Sequence, residues 1–444
     1  MDSVDFEKIF NEELNDLIEL LKIESVYDEN SVSEKMPYGE NVYKAFVYMK
    51  EKAIRDGFEV TDHESQALAI STGKKGKRID IPSHLDVVAA DKEDFNIRIE
   101  DGKLFGRGTS DMKVPMYLTY LSLRLLKEKY PDMNKEIRIV LGSDEERTMD
   151  DMKYYVAKEG YPDFAFTPDG YFPVGIGEKG AIMWTLSSGY NGIISSLNGG
   201  SQCNVISPYA SCVLNDDDPN KINEYLKNNK MDANVSFKDN KVFIETKGVA
   251  AHASKPSLGH NATVDLLKII ADVYDDETCK ILCDIFSDSY GRGFGSFVSE
   301  DQSECLSVNL GILKIENNSL SAMVDCRYPF GFKAEDLTLK IKDKLGMNVS
   351  LDYNDEPTLC DADDPYVKIL LDTYRENTND YSKPVVSGGV SYAKVFKHCV
   401  GFGPNFPDGE AVAHQKGEYV KISDCLKMFK IYYEAIEKLI LWEE

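Results

Sequence analysis

The order of strand-like and helix-like segments constrains the fold of this chain more than any other feature of its 444 residues. In the first part, short apolar runs alternate with segments of helical spacing, as in a layered α/β domain. The pattern then becomes mainly strand-like, with helical segments near 260–275 and 334–345, before helical spacing returns towards the C-terminus. We therefore expect a discontinuous α/β domain of residues 1–178 and 359–444, into which an α+β domain of residues 179–358 is inserted.

Within the α/β part, the elements can be placed from the spacing of apolar residues. This spacing predicts helices over 5–22 and 113–130, and apolar runs at 78–88, 136–142 and 163–167 predict strands. Open α/β sheets bind their ligands beyond the carboxyl ends of the strands. The segments that follow these strands are therefore the first candidates for a functional site.

Charge and composition exclude several classes of protein. Asp and Glu number 76 and Lys and Arg 51, so the net charge is −25, which repels nucleic acids and anionic membrane surfaces. No apolar run approaches the ~18 residues needed to cross a bilayer, and the acidic N-terminus lacks the basic and apolar parts of a signal peptide. The nine cysteines form no CxxC pair, which is typical of free thiols. We expect a cytoplasmic protein.

Several short motifs contain the side chains that bind metals. Each has an ordinary explanation on its own, such as a core histidine, a helix N-cap, a solvated turn or an Asx turn. Together they supply two histidines and several carboxylates, a mixed nitrogen and oxygen set that suits zinc or a similar divalent ion. The donors are too many for one tetrahedral ion and indicate two ions that share a carboxylate. The motifs are SHLDVV (83–88), GRGTSDMK (106–113), SDEE (143–146), TPDG (167–170) and AHQKGE (413–418).

The order and spacing of these motifs resemble a known enzyme family over essentially the whole chain. The sequence is similar to the di-zinc aminoacylase/dipeptidase metallopeptidases, and among them to the carnosinase-like bacterial Xaa-His dipeptidases of the dipeptidase V type. The resemblance implies a layered α/β zinc-peptidase catalytic domain with an inserted α+β lid domain. Further motifs that carry it are GVAAHASKPSLGHNA (248–262), DCRYP (325–329), GGVSYAK (388–394) and HQKGEY (414–419).

The resemblance also implies the identity of the metal ligands. His84, Asp111 and Asp169 would hold one ion, and Asp111, Glu146 and His414 would hold the other. Asp111 would then bridge the two ions. The expected cofactors are two Zn²⁺ ions, with Mn²⁺ or Co²⁺ as alternatives.

Other residues receive roles in catalysis or substrate binding from the same resemblance. Glu145 would be the general base, and Asp86 would orient His84. In the lid, His252 would stabilise the oxyanion and Arg327 would bind the substrate carboxylate. The remaining substrate-binding residues implied in this way are Asn204, Gly388 and Gly389.

Four residues depart from the family pattern. Ala89 and Asp91 replace a proline and a glycine after HLDVV, and a nearby tryptophan of the family is absent. Ser391 and Lys394 replace a threonine and an arginine. Because Lys cannot reproduce the bidentate fork of Arg, these departures concern the substrate preference more than the metal site.

The implied activity is the hydrolysis of unblocked dipeptides, including β-alanyl or Xaa-His dipeptides, by a metal-bridged water with Glu145 as general base. An N-acyl or N-succinyl amino acid deacylase is the alternative, and the intact Glu145 argues against a non-catalytic metal-binding regulator. The insert spans 358 − 179 + 1 = 180 residues, well above the roughly 100 of one small domain. It could supply His252 within the same chain, so we expect an active monomer that binds a small peptide.

Overall fold

The computed structural model describes residues 4–216, 218–301, 303–410 and 412–443. They form two compact units. The split unit comprises the residues up to Gly177 and those from Leu359 onward, and the inserted unit is Glu178–Thr358. Each unit has a hydrophobic core of its own. In the described part of the chain, no helix is both long and apolar enough to cross a membrane.

The elements alternate as the periodicity of the sequence predicts. In chain order, the helices are α1 (Phe6–Leu21), α2 (Glu40–Arg55), α3 (Lys113–Lys129), α4 (Asp150–Glu159), α5 (Asn220–Asn229), α6 (Ala262–Tyr274), α7 (Glu277–Phe286), α8 (Ala334–Leu345), α9 (Pro365–Thr378) and α10 (Ile422–Leu441). The strands are β1 (Glu59–His63), β2 (Ala67–Ser71), β3 (Arg78–His84), β4 (Arg98–Glu100), β5 (Lys103–Phe105), β6 (Glu136–Gly142), β7 (Phe164–Thr167), β8 (Gly170–Tyr171), β9 (Gly175–Glu178), β10 (Gly180–Gly189), β11 (Ile194–Gly199), β12 (Tyr209–Leu214), β13 (Ala233–Lys238), β14 (Lys241–Lys247), β15 (Ser307–Glu316), β16 (Ser319–Tyr328), β17 (Asn348–Asp355), β18 (Thr358–Leu359), β19 (Val385–Ser387), β20 (Cys399–Gly401), β21 (Pro404–Asn405) and β22 (Tyr419–Lys421).

The main sheet of the split unit positions the loops that carry the site. Its strand order is β1-β2-β6-β3-β7-β20-β9-β18, with β19 beside β9. Strand β3 runs parallel to β6 and β7, so the carboxyl ends of all three strands lie on the same side of the sheet, next to one another. In this register His84 pairs with Gly142, directly before the SDEE motif. Every residue of β6 is buried, as expected for a parallel strand covered on both faces.

Helices cover this sheet and complete the core of the split unit. The predicted helices over 5–22 and 113–130 are confirmed as α1 and α3. Helix α3 is almost wholly buried and packs against α10, and the Phe6 ring of α1 lies edge-on to Phe429 of α10 at 5.1 Å. The C-terminal helix therefore stabilises the helix that begins at the GRGTSD loop.

The inserted unit is built on one antiparallel sheet of eight strands in the order β13-β14-β12-β11-β15-β16-β10-β17. Strands β11 and β15 are the two central strands, with three further strands on each side, and Leu197 of β11 is opposite Ile315 of β15. The prediction of only two helices in this region was wrong, because α5 and α7 lie there as well as α6 and α8. Both missed helices have ten residues, too few for a clear helical period.

Candidate metal centre

The five expected metal ligands lie in separate segments at or near the carboxyl ends of the strands of the main sheet. Strand register and helix packing bring these segments together although their residues span most of the chain. The ligands are His84 at the end of β3, Asp111 just before α3, Glu146 after β6, Asp169 after β7 and His414 before β22.

The carboxylate of Asp111 occupies the middle of the cluster. Its Oδ1 lies 3.1 Å from Nε2 of His84, and its Oδ2 lies 3.0 Å from Nε2 of His414. On the outer sides, Asp169 Oδ2 is 3.6 Å from His84 Nε2 and Glu146 Oε1 is 3.1 Å from His414 Nε2. Each half has donor atoms within 4.8 Å of one another, as a metal site requires. The Asp111 carboxylate thus presents one oxygen to the His84 half of the cluster and the other oxygen to the His414 half.

The contacts of His84 determine which of its nitrogens can bind a metal. Nδ1 lies 2.9 Å from the backbone carbonyl of Asp86, and since a carbonyl only accepts, Nδ1 carries the proton. Nε2 is then the nitrogen that faces the carboxylates and that could bind a metal after losing its proton, as in metal-bound histidines whose other nitrogen is held by a hydrogen bond.

The carboxylate of Asp86 lies near His84, the partner expected for it, and also binds the backbone of a neighbouring loop. Its closest oxygen is 3.5 Å from His84 Nδ1, so the backbone carbonyl makes the shorter contact with the ring. Its two oxygens accept the backbone N–H groups of Glu145 at 3.3 Å and of Glu146 at 3.1 Å. The side chain of Asp86 therefore holds the loop that carries Glu145 and Glu146.

Charge in this cluster is unbalanced in favour of carboxylates. Burial opposes protonation of His84, yet its hydrogen bonds to Asp111 and Asp169 raise its pKa well above the usual range. Hydrogen bonds to Asp111 and Glu146 raise the pKa of His414 to about 10. The imidazoles thus hold protons in response to the surrounding negative charge.

The carboxylates respond to the same imbalance. Burial raises the pKa of Glu145 well above its ordinary value and also raises the pKa of Glu146 and of Asp169. Asp111 is the exception, since the two histidines outweigh its burial and lower its pKa. A buried set of this kind fits divalent cations, because added positive charge would relieve the repulsion between its carboxylates.

Two expected lid residues lie next to each other within the inserted unit. Val205 and His252 form a β-bridge, and the carbonyl of Asn204 accepts the N–H of Ala253 at 2.9 Å. Nδ1 of His252 is 2.7 Å from the Ser254 hydroxyl and accepts the Ser254 backbone N–H at 3.2 Å. A nitrogen that accepts from an amide carries no proton, so the proton of the neutral ring is on Nε2.

The guanidinium of Arg327 is partly engaged within the inserted unit. Its Nε and Nη2 donate to the two carboxylate oxygens of Asp325 at 3.0 and 2.9 Å, and only 9% of the residue is exposed. A substrate carboxylate could therefore use only the end of the guanidinium formed by Nη1 and Nη2, not the edge occupied by Asp325.

Gly388 and Gly389 form a bend in the split unit directly after β19. Gly389 is exposed, and its N–H donates to the Ser387 hydroxyl at 2.9 Å. That amide already has an intramolecular partner, so a ligand would have to share it.

The sequence interpretation missed several residues that support the centre. Asp151 is fully buried and accepts the backbone N–H groups of Ser143 and Asp144 and the hydroxyl of Tyr392, and burial raises its pKa to about 7. Glu418 is also buried, and its carboxylate accepts the backbone N–H of Asp111. Tyr392 lies in the GGVSYAK motif, Glu418 lies in HQKGEY, and Asp151 follows SDEE by five residues, but nothing in the local pattern reveals what these side chains contact.

Comparison with known proteins identifies the family. The sequence profile of peptidase family M20/M25/M40 matches residues 81–438. The chain belongs to this peptidase family. The resemblance to metallopeptidases, and with it the prediction of a hydrolytic enzyme, is confirmed. Two proteins provisionally named dipeptidases, from Staphylococcus epidermidis and Staphylococcus haemolyticus, are each 30% identical to it, and the alignments cover 97% and 96% of this M20 peptidase and the same shares of those proteins.

Solved structures show the same fold. Human carnosine dipeptidase 1 aligns over all of both chains with a TM-score of 0.59 and 14% identity. Aminoacylhistidine dipeptidase of Vibrio alginolyticus aligns over 97% of this M20 peptidase and 96% of that chain, with a TM-score of 0.55 and 16% identity. The fold class predicted from the sequence, a layered α/β catalytic domain with an inserted α+β lid domain, is confirmed.

Proposed function

We propose that this M20 peptidase hydrolyses the peptide bond of unblocked dipeptides, including β-alanyl or Xaa-His dipeptides. The observation that carries the proposal is the position of Asp111, whose two oxygens face His84 and His414 at 3.1 and 3.0 Å. Such a carboxylate can join two metal sites, and the two-metal arrangement suits hydrolysis. The names of the staphylococcal relatives support a dipeptide as the substrate.

Two divalent ions would be held by the side chains of this cluster, with zinc as the first choice and manganese or cobalt as alternatives. His84, Asp111 and Asp169 would hold one ion, and Asp111, Glu146 and His414 would hold the other. When bound, such ions lower the pKa of water and polarise a carbonyl oxygen. The chemistry that remains for the protein is to move protons and to orient the substrate.

Glu145 is our candidate for the general base. Its side chain is only 9% exposed and its Oε2 lies 4.0 Å from His84 Nε2, farther than the donors assigned as ligands. Burial raises the pKa of Glu145, which suits a group that takes a proton from the attacking water and gives it to the leaving amine. The N–H of Glu145 is held by Asp86, which fixes the start of this side chain.

In this proposal the inserted unit acts as the lid, and His252 donates a hydrogen bond to the oxyanion. The contacts of Nδ1 with Ser254 leave the proton on Nε2, which makes the neutral ring a donor at that nitrogen. Asn204 neighbours His252 and would contact the substrate from the same segment.

The free carboxylate of the dipeptide would bind Arg327 through its Nη1 and Nη2 end, with further contacts from the backbone of Gly388 and Gly389. Asp325 holds the guanidinium in one orientation, which reduces the entropy lost when the substrate binds. Lys394 is the alternative anchor for this carboxylate.

We also propose that one chain is sufficient for activity, with 1–178 and 359–444 as the catalytic domain and 179–358 as the lid domain. All eight strands of the lid sheet come from a single chain, with three strands on each side of the central β11–β15 pair. None of the nine cysteines, all of which lie in the described part of the chain, is in a disulfide, which is consistent with a cytoplasmic enzyme.

A substrate panel tests this proposal. Purified enzyme loaded with Zn²⁺, Mn²⁺ or Co²⁺ would be assayed on free dipeptides and on the same dipeptides carrying N-acetyl or N-succinyl groups. We expect turnover of the free dipeptides and its loss after chelation. Preferential cleavage of the acyl group would favour the deacylase alternative, and an absence of hydrolysis in a protein that binds metal would favour a non-catalytic role.

A further inference from the structure

A buried carboxylate outside the ligand set holds the loop of Asp111. Glu418 Oε1 accepts two consecutive backbone N–H groups, those of Ser110 at 2.7 Å and of Asp111 at 3.1 Å. Glu418 Oε2 accepts from Nη1 of Arg107 at 2.7 Å. The side chains of Glu418 and Arg107 are only 1% and 3% exposed. Water therefore cannot easily replace any of these bonds.

Glu418 also links this loop to the loop of His414. It lies four residues after His414 and directly before β22, which pairs with β5 just ahead of the GRGTSD motif. Its carbonyl accepts the N–H of Gly106 at 2.9 Å, and Arg107 Nη2 donates to the carbonyl of Gln415 at 3.4 Å. Side-chain and backbone bonds together fasten the two loops to each other.

The segment that carries His414 needs such support. His414 has φ = 64°, in the left-handed region that residues other than glycine rarely adopt. A residue keeps such a conformation only where its surroundings hold it there. The imidazole is half exposed, so packing alone does not fix its direction.

We propose that Glu418 is a positioning residue for the metal centre, which sets Asp111 and His414 at the spacing that two bound ions require. The inference rests on the proposed function, because it concerns the same pair of ions. Glu418 would not contact the ions or the substrate. It would act through the backbone of Asp111 and through the connection to the His414 loop.

The variant that tests this role is Glu418→Gln. Glutamine has nearly the same shape, but its amide offers one accepting oxygen where Glu418 uses two. It must either leave the N–H groups of Ser110 and Asp111 without an acceptor or place its NH₂ against the guanidinium of Arg107. In the first case the backbone of Asp111 loses its acceptor, and in the second case Arg107 loses the partner that helps to join the Asp111 loop to the His414 loop.

Glu136→Gln is the matched control. Glu136 also belongs to a buried pair in the split unit, with its Oε1 2.7 Å from Arg138 Nε and its side chain 8% exposed. It lies at the start of β6, at the opposite end of that strand from Glu145. The same chemical change is thus made in a similar environment far from the ligands.

The measurement is Co²⁺ binding to full-length, metal-free protein, followed by calorimetry and by the visible absorption of the bound ion, together with the melting temperature of each metal-free protein. We expect Glu418→Gln to bind both ions about 10- to 100-fold more weakly than the wild type and to shift the cobalt bands, as losses of support behind metal ligands do. Glu136→Gln should lower the melting temperature but keep the Co²⁺ affinity within about threefold.

The outcomes distinguish failure of the proposed function from failure of the positioning role of Glu418. If the wild type binds no Co²⁺, the proposed function fails. If the wild type binds two ions and Glu418→Gln matches its affinity and spectrum, the positioning role is overturned, as it is if Glu136→Gln weakens binding equally. Should Glu418→Gln not fold, Glu418→Asp replaces it, because the charge is kept while the shorter side chain withdraws from the two N–H groups, and the same loss of affinity is expected.

Discussion

The neighbouring carboxylates Glu145 and Glu146 should separate into two roles when each is changed to glutamine. Both residues keep their backbone position in such variants, because Asp86 binds their N–H groups rather than their side chains. Glutamine preserves the shape of each side chain but cannot accept a proton near neutral pH. Each variant is therefore the control for the other.

The expected magnitudes follow from what each side chain contacts. Glu146 Oε1 lies 3.1 Å from His414 Nε2 and is one of three donors on that side of the centre, so Glu146→Gln should lose one ion at limiting metal. Glu145 Oε2 lies 4.0 Å from His84 Nε2, farther than the assigned oxygens of Asp111 and Asp169, so Glu145→Gln should keep both ions while kcat falls by about 10²–10⁴. That loss corresponds to about 3–5 kcal/mol in the activation barrier.

The assay combines elemental analysis after dialysis with kcat measured at saturating metal. Excess metal should restore a substantial part of the Glu146→Gln activity, since the defect is binding, and should restore none of the Glu145→Gln activity. The assignment is refuted if Glu145→Gln loses an ion on dialysis, or if both variants retain two ions and lose the same activity.

Three further predictions concern stability, substrate and assembly. Burial raises the pKa of Asp80 to about 6 from 3.8, so the folded state holds a proton that the unfolded chain lacks. The free energy of unfolding should fall by up to about 3 kcal/mol as the pH rises from 4 to 6. Asp80→Asn should flatten the plot of melting temperature against pH in this range, and a variant plot parallel to that of the wild type would contradict the prediction. Amidating the dipeptide carboxylate should lower kcat/KM by a factor equivalent to about 2–5 kcal/mol, and Arg327→Ala should abolish this discrimination in steady-state assays; a variant that still rejects amides would shift the role to another anchor. Mixing inactive His252→Ala and Glu145→Gln chains should recover no activity if one chain is sufficient, and recovery would mean that a neighbouring chain supplies His252.

Local sequence patterns predicted much of the fold. The helix over 113–130 and the strand over 136–142 follow from apolar spacing, which depends only on nearby residues, and both are present within a residue of the expected bounds. The short helices α5 and α7 were missed because ten residues carry too little periodicity to distinguish them from their strand-rich surroundings.

The candidate ligands could be selected from the sequence because few residue types bind divalent ions and because the motifs occur in a family order. The geometry of these ligands could not be predicted from the sequence. That Asp111 presents one oxygen to His84 and the other to His414 depends on strand register and helix packing between segments about 300 residues apart. A one-dimensional pattern contains no such distances.

The chain by itself thus determined which side chains could form a metal centre and which segments are helices and strands. Tertiary structure alone decided what holds the centre in place. Asp86 supports the Glu145 loop rather than only a histidine, and Glu418 reaches back to residues 107–111 across most of the chain. The physical reason is that a buried backbone N–H must find an acceptor, and which acceptor it finds is settled only when distant segments pack together.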